Sequence, residues 1–199
     1  MLHFHLNFKR LEFYSYIDRV TMGAKTNLFK ICIVGDHGVG KSTLLHQYLE
    51  RRFISNVQST IGSNFFVKRV KLPNVKNYIT LQIWDLAGQD HFRWVRQAFY
   101  KGAKGIVYVF DLSRKDTREH IEVWKEEVER AAGFLPNVLV GNKLDLVNSS
   151  VKNTPDEIAN DLIRALKSCL YTETSAKIGT GVDNVFFKLT TEMNRSFNR

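Results

Sequence analysis

Eight consecutive residues constrain this chain more than any others. Gly35-Asp36-His37-Gly38-Val39-Gly40-Lys41-Ser42 follows a continuous apolar run, Phe29–Val34, and leads into Ser42–Glu50, which reads as helix. A strand that ends in glycines and turns straight into a helix can aim its backbone N–H groups inward, because glycine tolerates the required dihedrals. The helix start adds the positive end of its dipole to the same spot. The spacing G-x-x-x-x-G-K-[ST] then supplies a lysine for the β- and γ-phosphates and a hydroxyl for magnesium. A glycine-rich turn carrying a surface lysine would not need the strand before it or the helix after it. The loop therefore predicts a nucleoside triphosphate site built by Asp36, His37, Gly38, Val39, Gly40, Lys41, Ser42 and Thr43. It does not choose between ATP and GTP.

The rest of the chain supplies a sheet to hold that loop. Phe65–Leu72 and Tyr78–Trp84 read as strands joined around Pro73–Asn77. Gly105–Asp111, Val138–Gly141 and Cys169–Glu173 read as further strands, and Thr117–Ala132 and Val182–Asn194 as helices. Another helix starts at Thr154-Pro155, with Glu157 as the capping-box carboxylate. Strands alternating with helices indicate a mostly parallel sheet covered on both faces. At 199 residues and 44% hydrophobic, the chain suits one domain that buries its own core. Its two cysteines, Cys32 and Cys169, have no metal-ligand or disulfide-framework spacing, which points to a reducing, cytoplasmic compartment. No run of 18 uncharged apolar residues suggests a membrane span.

The purine is chosen elsewhere. Asn142-Lys143-Leu144-Asp145 follows the strand Val138–Gly141, at the carboxyl edge of the sheet where open α/β sheets bind ligands. A carboxylate only accepts, so Asp145 can take both N–H groups of guanine's Watson–Crick edge. Adenine would leave it unpaired, which is costly in a buried site. Asn142 can meet the base N7 side or tie neighbouring loops, and the stem of Lys143 can cover the base plane. Ser175-Ala176-Lys177 follows the last strand, and the Ala176 N–H can donate to guanine O6. Phe53 is either an edge packed on the base or a core aromatic.

With these motifs in order, the chain resembles the Ras superfamily of small GTPases, and its Rab branch most, through Ser59-Thr60-Ile61-Gly62, Trp84-Asp85-Leu86-Ala87-Gly88-Gln89 and Phe99-Tyr100-Lys101-Gly102. The resemblance covers Phe29 to Met193 and not residues 1–26. It implies the three-layer α/β fold of P-loop NTPases: a mostly parallel six-stranded sheet, one antiparallel strand and about five helices. A GTPase domain over 27–197 follows an extension over 1–26. The resemblance also implies GTP/GDP and Mg2+ as ligands. Thr60 joins Ser42 in the metal shell, Asp85 acts there through water, and the Gly88 N–H touches the γ-phosphate. Loss of that phosphate frees Phe53–Asn64 and Asp85–Gln97, the content of a switch.

In this reading the catalytic residues are Gln89, which orients the attacking water, and Lys41. Val57, Gln58 and Ser59 precede Thr60, so this loop supplies no arginine, and turnover is expected at about 10⁻⁴–10⁻³ per second. His37 is larger than the residue many relatives carry and either crowds the reaction centre or points to solvent. A module that holds GTP and barely hydrolyses it is a second reading, and an ATP-using enzyme a third. Phe65, Trp84 and Phe99 resemble the aromatic trio read by Rab effectors, or are plain core. Effector, activating and exchange proteins are expected on residues 53–66 and 85–100, and the protein itself as a monomer.

The formal net charge is +9. It suits an anionic membrane or nucleic acid, or simply a solvated surface; no block of five like charges occurs, and no nucleic acid is expected. The chain ends Asn194-Arg195-Ser196-Phe197-Asn198-Arg199 without a cysteine for prenylation, so peripheral membrane contact would rely on basic charge, the N-terminal segment or a partner. In that segment Leu2, Phe4, Leu6 and Phe8 alternate, and Leu11, Tyr14 and Ile17 recur at helical spacing. Three readings fit: an amphipathic membrane-surface or self-docking segment, a loose extension, or an upstream start with Met22 as the native one. Gly23 follows Met22, but Asn27 stands where a myristoylation signal wants Ser or Thr.

Overall fold

The computed structural model describes residues 27–55, 58–147, 156–168 and 170–197. The readings of residues 1–26, of the Thr154-Pro155 helix start and of Cys169 lie outside the described residues. Six strands form one sheet: β1 (Asn27–Val34), β2 (Ser63–Val70), β3 (Ile79–Leu86), β4 (Gly105–Asp111), β5 (Asn137–Asn142) and β6 (Leu170–Glu173). Their spatial order is β2-β3-β1-β4-β5-β6. Only β2 and β3 pair antiparallel, Ser63 opposite Leu86 and Val70 opposite Ile79; the other pairs are parallel.

The helices are α1 (Lys41–Glu50), α2 (Arg93–Tyr100), α3 (Lys115–Glu119), α4 (Ile121–Ala132), α5 (Asp156–Leu166) and α6 (Val182–Phe197). The stretch read as one helix over Thr117–Ala132 starts earlier, at Lys115, and is interrupted at His120. With α3 and α4 counted as one helical segment, five cover the sheet. Alternation along the strands sorts the core into two layers. Ile31 and Ile33 of β1 face α1 and α6 with Leu44, Leu45, Phe186 and Leu189. Cys32 and Val34 face α2, α4 and α5 with Tyr100, Ile121, Trp124, Val128 and Leu166. Each such fully buried aliphatic side chain contributes ~1.5–3 kcal/mol against leaving it in water. Burial pushes the Cys32 thiol up to about 12, so it stays an inert core group.

β1 is the central strand of this sheet. Its chain continues into the phosphate loop, and its two neighbours, β3 and β4, end at the same edge, so the segments after all three strands converge there. That is the crevice in which open α/β sheets bind ligands.

Candidate nucleotide site

The loop after β1 is shaped by glycine where it must be. Gly40 has φ 93° and caps α1, and a Cβ on it would lie 2.4 Å from Asn142 Nδ2. No side chain caps this helix start, and its first turn holds no acid. Its N-terminal N–H groups are thus left for an anion. Gly88, after β3, packs so closely that a Cβ there would sit 2.5 Å from the backbone of Asp36 and His37.

Lys41 is buried beneath the loop, its Nζ donating to the Gly35 and Asp36 carbonyls at 2.8 Å each. Burial lowers its pKa to about 8, against the opposing pull of Asp85 and Asp36. Ser42 Oγ donates to Asp85 Oδ2 at 2.5 Å and lies 2.9 Å from Thr60 Oγ1, which is 3.3 Å from the same carboxylate oxygen. Three oxygens from α1, the loop before β2 and β3 therefore converge. Asp85 Oδ1 is buried with no hydrogen bond of good geometry, and burial raises the pKa of this carboxyl, opposed by Ser42, Lys41, Thr60 and Asn64. Hard oxygen donors with an unsatisfied carboxylate oxygen fit a small hard cation such as Mg2+, which keeps waters and shares phosphate oxygens.

At the other end of the cleft Asn142 ties three segments together. Its Nδ2 donates to Val39 O at 2.9 Å, and its Oδ1 accepts from Thr174 Oγ1 at 3.0 Å and from the Ala176 N–H at 3.2 Å. These bonds give it the tying role, and they use one of its two Nδ2 hydrogens. Ala176 lines the cleft, its N–H 3.2 Å from Asn142 Oδ1. Ser175 Oγ holds Asp145 Oδ1 at 2.5 Å and accepts from the Ile178 N–H, which orients the carboxylate. Lys143 adopts φ 67° and anchors its Nζ on Asp111 Oδ2 at 2.8 Å, leaving its stem along the cleft.

Together these residues surround a cleft of about 460 Å³. His37, Gly38, Gly40, Lys41, Ser42 and Thr43 line one end, Asn142, Lys143, Asp145, Ala176 and Lys177 the other, and Phe53, Thr60, Gly88 and Gln89 close over it. Phe53 is 45% exposed, so it belongs to the cleft wall and not to the core. Asp36, Val39 and Ser175 do not line the cleft with their side chains. Val39 is core. Asp36 turns outward, accepting from Trp124 Nε1 at 2.7 Å and meeting His120 Nδ1 at 2.8 Å, so that it straps the phosphate loop to α4. Ile54, Ser55, Gln58, Ser59 and Leu146 also line the cleft. The first four lie within the segment Phe53–Asn64 read above as a switch loop, and Leu146 directly follows Asp145.

Two further features were not legible in the sequence. His37 Nε2 lies 2.9 Å from Ser59 Oγ, bridging the phosphate loop and the segment that carries Thr60. Arg96, on the unanticipated helix α2, is buried in a bidentate pair with Glu127 of α4 at 2.7 and 2.8 Å. The same guanidinium donates to the carbonyls of Ala87 and Gln89 at 3.1 and 2.8 Å. This holds the backbone of Gln89 while its side-chain Oε1 stays buried without a hydrogen-bond partner, open as an acceptor.

The sequence profile of the Ras family matches residues 30–195. The Ras-related protein RABG3e of Arabidopsis thaliana is 36% identical over 177 residues, covering 86% of this chain and 85% of its own length. The Ras-related protein Rab-1A of Dictyostelium discoideum is 40% identical over 169 residues, 83% and 80% of the two chains. The Ras-related protein Rab-1 of Theileria annulata is 39% identical over 161 residues, 80% and 71%. Joined to a phosphate loop at the carboxyl edge of a sheet ordered β2-β3-β1-β4-β5-β6, these matches make the chain a member of the Ras family, on its Rab branch: a small GTPase that hydrolyses GTP to GDP as a regulatory switch.

Proposed function

We propose that the domain over 27–197 binds GTP with Mg2+, hydrolyses it slowly, and signals through the two segments that close over the cleft. The observation that carries this reading is the convergence of Thr60 on Ser42 and Asp85. Thr60 comes from a loop with no other tie to the phosphate loop than this contact and His37–Ser59 among the described side-chain bonds, so a ligand between them controls where the loop sits. Ser42 and Thr60 would hold the cation directly and Asp85 through water; bound there, Mg2+ neutralises charge on the phosphates. Lys41 grips the β- and γ-phosphates, and Asp145, with Lys177 beside it, reads guanine. The Gly88 N–H meets the γ-phosphate. Gln89 orients water through its free Oε1, with its backbone fixed by Arg96. Catalysis is positioning and charge stabilisation.

The half-buried strip Phe65, Trp84 and Phe99, with ring centroids 4.8 and 5.1 Å apart, continues into exposed Ile61 and Trp94. Effectors, activators and exchange factors are assigned to this strip, within residues 53–66 and 85–100. The protein works as a cytoplasmic monomer in contact with a membrane surface. The test is competition against labelled GDP with single-turnover phosphate release. GTP should compete and ATP should not, Thr60→Ala should slow release, and equal competition by ATP would refute the reading.

A second reading, that hydrolysis is nearly blocked, draws on the His37–Ser59 bridge, which places an imidazole over the γ-phosphate side of the cleft. His37→Gly should then raise activator-stimulated hydrolysis; an unchanged rate would discard it.

A further inference from the structure

Among the described residues, six cations outside any ion pair gather at the edge of the sheet opposite the cleft. Five short described segments border it around Leu28: residues 69–79 between β2 and β3, 101–105 before and into β4, 133–137 into β5, 167–168 before β6, and the end of α6. None contains an acidic residue. They carry Arg69, Lys71 and Lys76, Lys101 and Lys104, and Lys167, none of them in an ion pair among the described residues. Arg195, at the end of α6, is paired with Glu192 at 3.8 Å, and Glu129, near the end of α4, with Lys125 at 3.9 Å.

The same edge exposes apolar side chains that a solvated edge has no need of. Tyr78, Phe134, Phe197 and Leu28 are 42–57% exposed. Each of the three aromatic rings has a cation over it: Arg69 4.6 Å and Lys71 5.4 Å from the Tyr78 centroid, Lys104 4.3 Å from Phe197, Lys167 5.9 Å from Phe134. Tyr78 stands at the β3 end of the sheet, Phe197 beside β1 through Phe29, and Phe134 before β5. Neighbouring strands lie about 4.8 Å apart, so the three rings span roughly 14 Å from β3 to β5, and their cations, from Arg69 on β2 to Lys167 before β6, roughly 24 Å.

We propose that this edge is a docking surface for an anionic lipid bilayer, which leaves the nucleotide cleft facing away from the membrane. A bilayer surface is flat, negative and apolar just beneath its headgroups. Aromatic rings settle at that boundary, and long basic side chains cover them with their stems while keeping their charge among the phosphates. A nucleic acid fits less well, because single strands stack on open rings in a basic groove, whereas these rings are already faced by cations. The proposal gives a face to the membrane contact proposed above and is independent of the catalytic reading.

The test uses the full chain loaded with GDP and sedimented with vesicles of phosphatidylcholine alone or containing phosphatidylserine. Binding should require phosphatidylserine and collapse as salt rises from about 0.1 M to about 1 M, where the Debye length shrinks from about 10 to about 3 Å. Each cation near an anionic surface contributes about fivefold in partitioning. Combining Lys71→Glu, Lys76→Glu, Lys101→Glu and Lys104→Glu should weaken binding at least a hundredfold while GDP retention and phosphate release stay unchanged, which shows the fold and the switch intact. Tyr78→Ser with Phe134→Ser should weaken it severalfold even at low salt. The variants keep residues 1–26, so undiminished binding by the four-charge variant would overturn the proposal. So would equal binding to both vesicle types, or tighter binding to single-stranded RNA or duplex DNA than to phosphatidylserine vesicles at the same salt. Loss of GTP binding in the unaltered protein would instead sink the switch reading and leave this one standing.

Discussion

The Arg96–Glu127 pair offers a way to separate what stabilises this fold from what aligns its chemistry. Both side chains are about 97–98% buried, Glu127 also accepts from Tyr100 Oη at 2.7 Å, and Arg93 approaches it at 3.4 Å. Removing one member of a buried pair leaves the other charge uncompensated and costs ~3–5 kcal/mol, a large part of the ~5–15 kcal/mol that holds a domain folded. Glu127→Gln keeps the shape and removes the charge. In urea, with a slope of about 1–3 kcal/mol per molar, its midpoint should fall by about 1–5 M. GDP and Mg2+ must be held at one concentration throughout, since ligand binding adds its own stability. Replacing both partners with apolar residues, Arg96→Met with Glu127→Leu, should recover part of that loss, because no buried charge is then left unpaired, although Tyr100 Oη and the Ala87 and Gln89 carbonyls still lose their partner. It cannot restore the two bonds to the Ala87 and Gln89 carbonyls. Phosphate release in single turnover should therefore remain about ten- to a hundredfold slow, the scale of a small misplacement of a catalytic group. A double variant that is stable and hydrolyses at the original rate would show that Arg96 merely fills space. A loss under ~1 kcal/mol in Glu127→Gln would show that the pair is not desolvated as drawn.

Two predictions concern protons. Asp36 raises the pKa of His120 by hydrogen bond and charge, with Asp116 and Asp90 adding to it. A group whose folded pKa lies above its unfolded value near 6.5 contributes stability below that value and loses it as pH rises through the folded pKa. The stability of the protein relative to His120→Asn should therefore be greatest below about pH 6.5 and fade above it; a flat difference across that range would contradict the strap. Burial lowers the Lys41 pKa to about 8, and a bound triphosphate would raise it. Nucleotide binding at pH 8 should then take up about half a proton, seen by calorimetry in buffers of different ionisation enthalpy. No uptake would mean that Lys41 is already fully charged.

The parts of this protein that are legible in the sequence are those whose chemistry is local. The phosphate loop can be read because strand, glycines, lysine and serine act within eight residues, and Asn142–Asp145 because one strand end delivers all of it to the cleft. Strand ends are less legible, since pairing and not composition sets them: β3 runs to Leu86 because Ser63 of β2 still pairs there, past the apolar run that seemed to stop at Trp84. The helix α2 left only a faint mark, Phe92, Val95, Phe99 and Tyr100 at helical spacing, and the buried arginine inside it looks like a solvent-facing residue until its partner is seen. That partner lies 31 residues away, as Trp124 lies 88 residues from Asp36. No rule of spacing links such pairs, because the sheet brings them together. The consequence bears on mechanism. The motifs place nucleotide-facing groups at the cleft, while the long-range bonds from α4, through Asp36 on one side and Arg96 on the other, fix the phosphate loop and the backbone of Gln89 to a common support. A change confined to α4, with every motif intact, should therefore alter catalysis more than it alters nucleotide affinity.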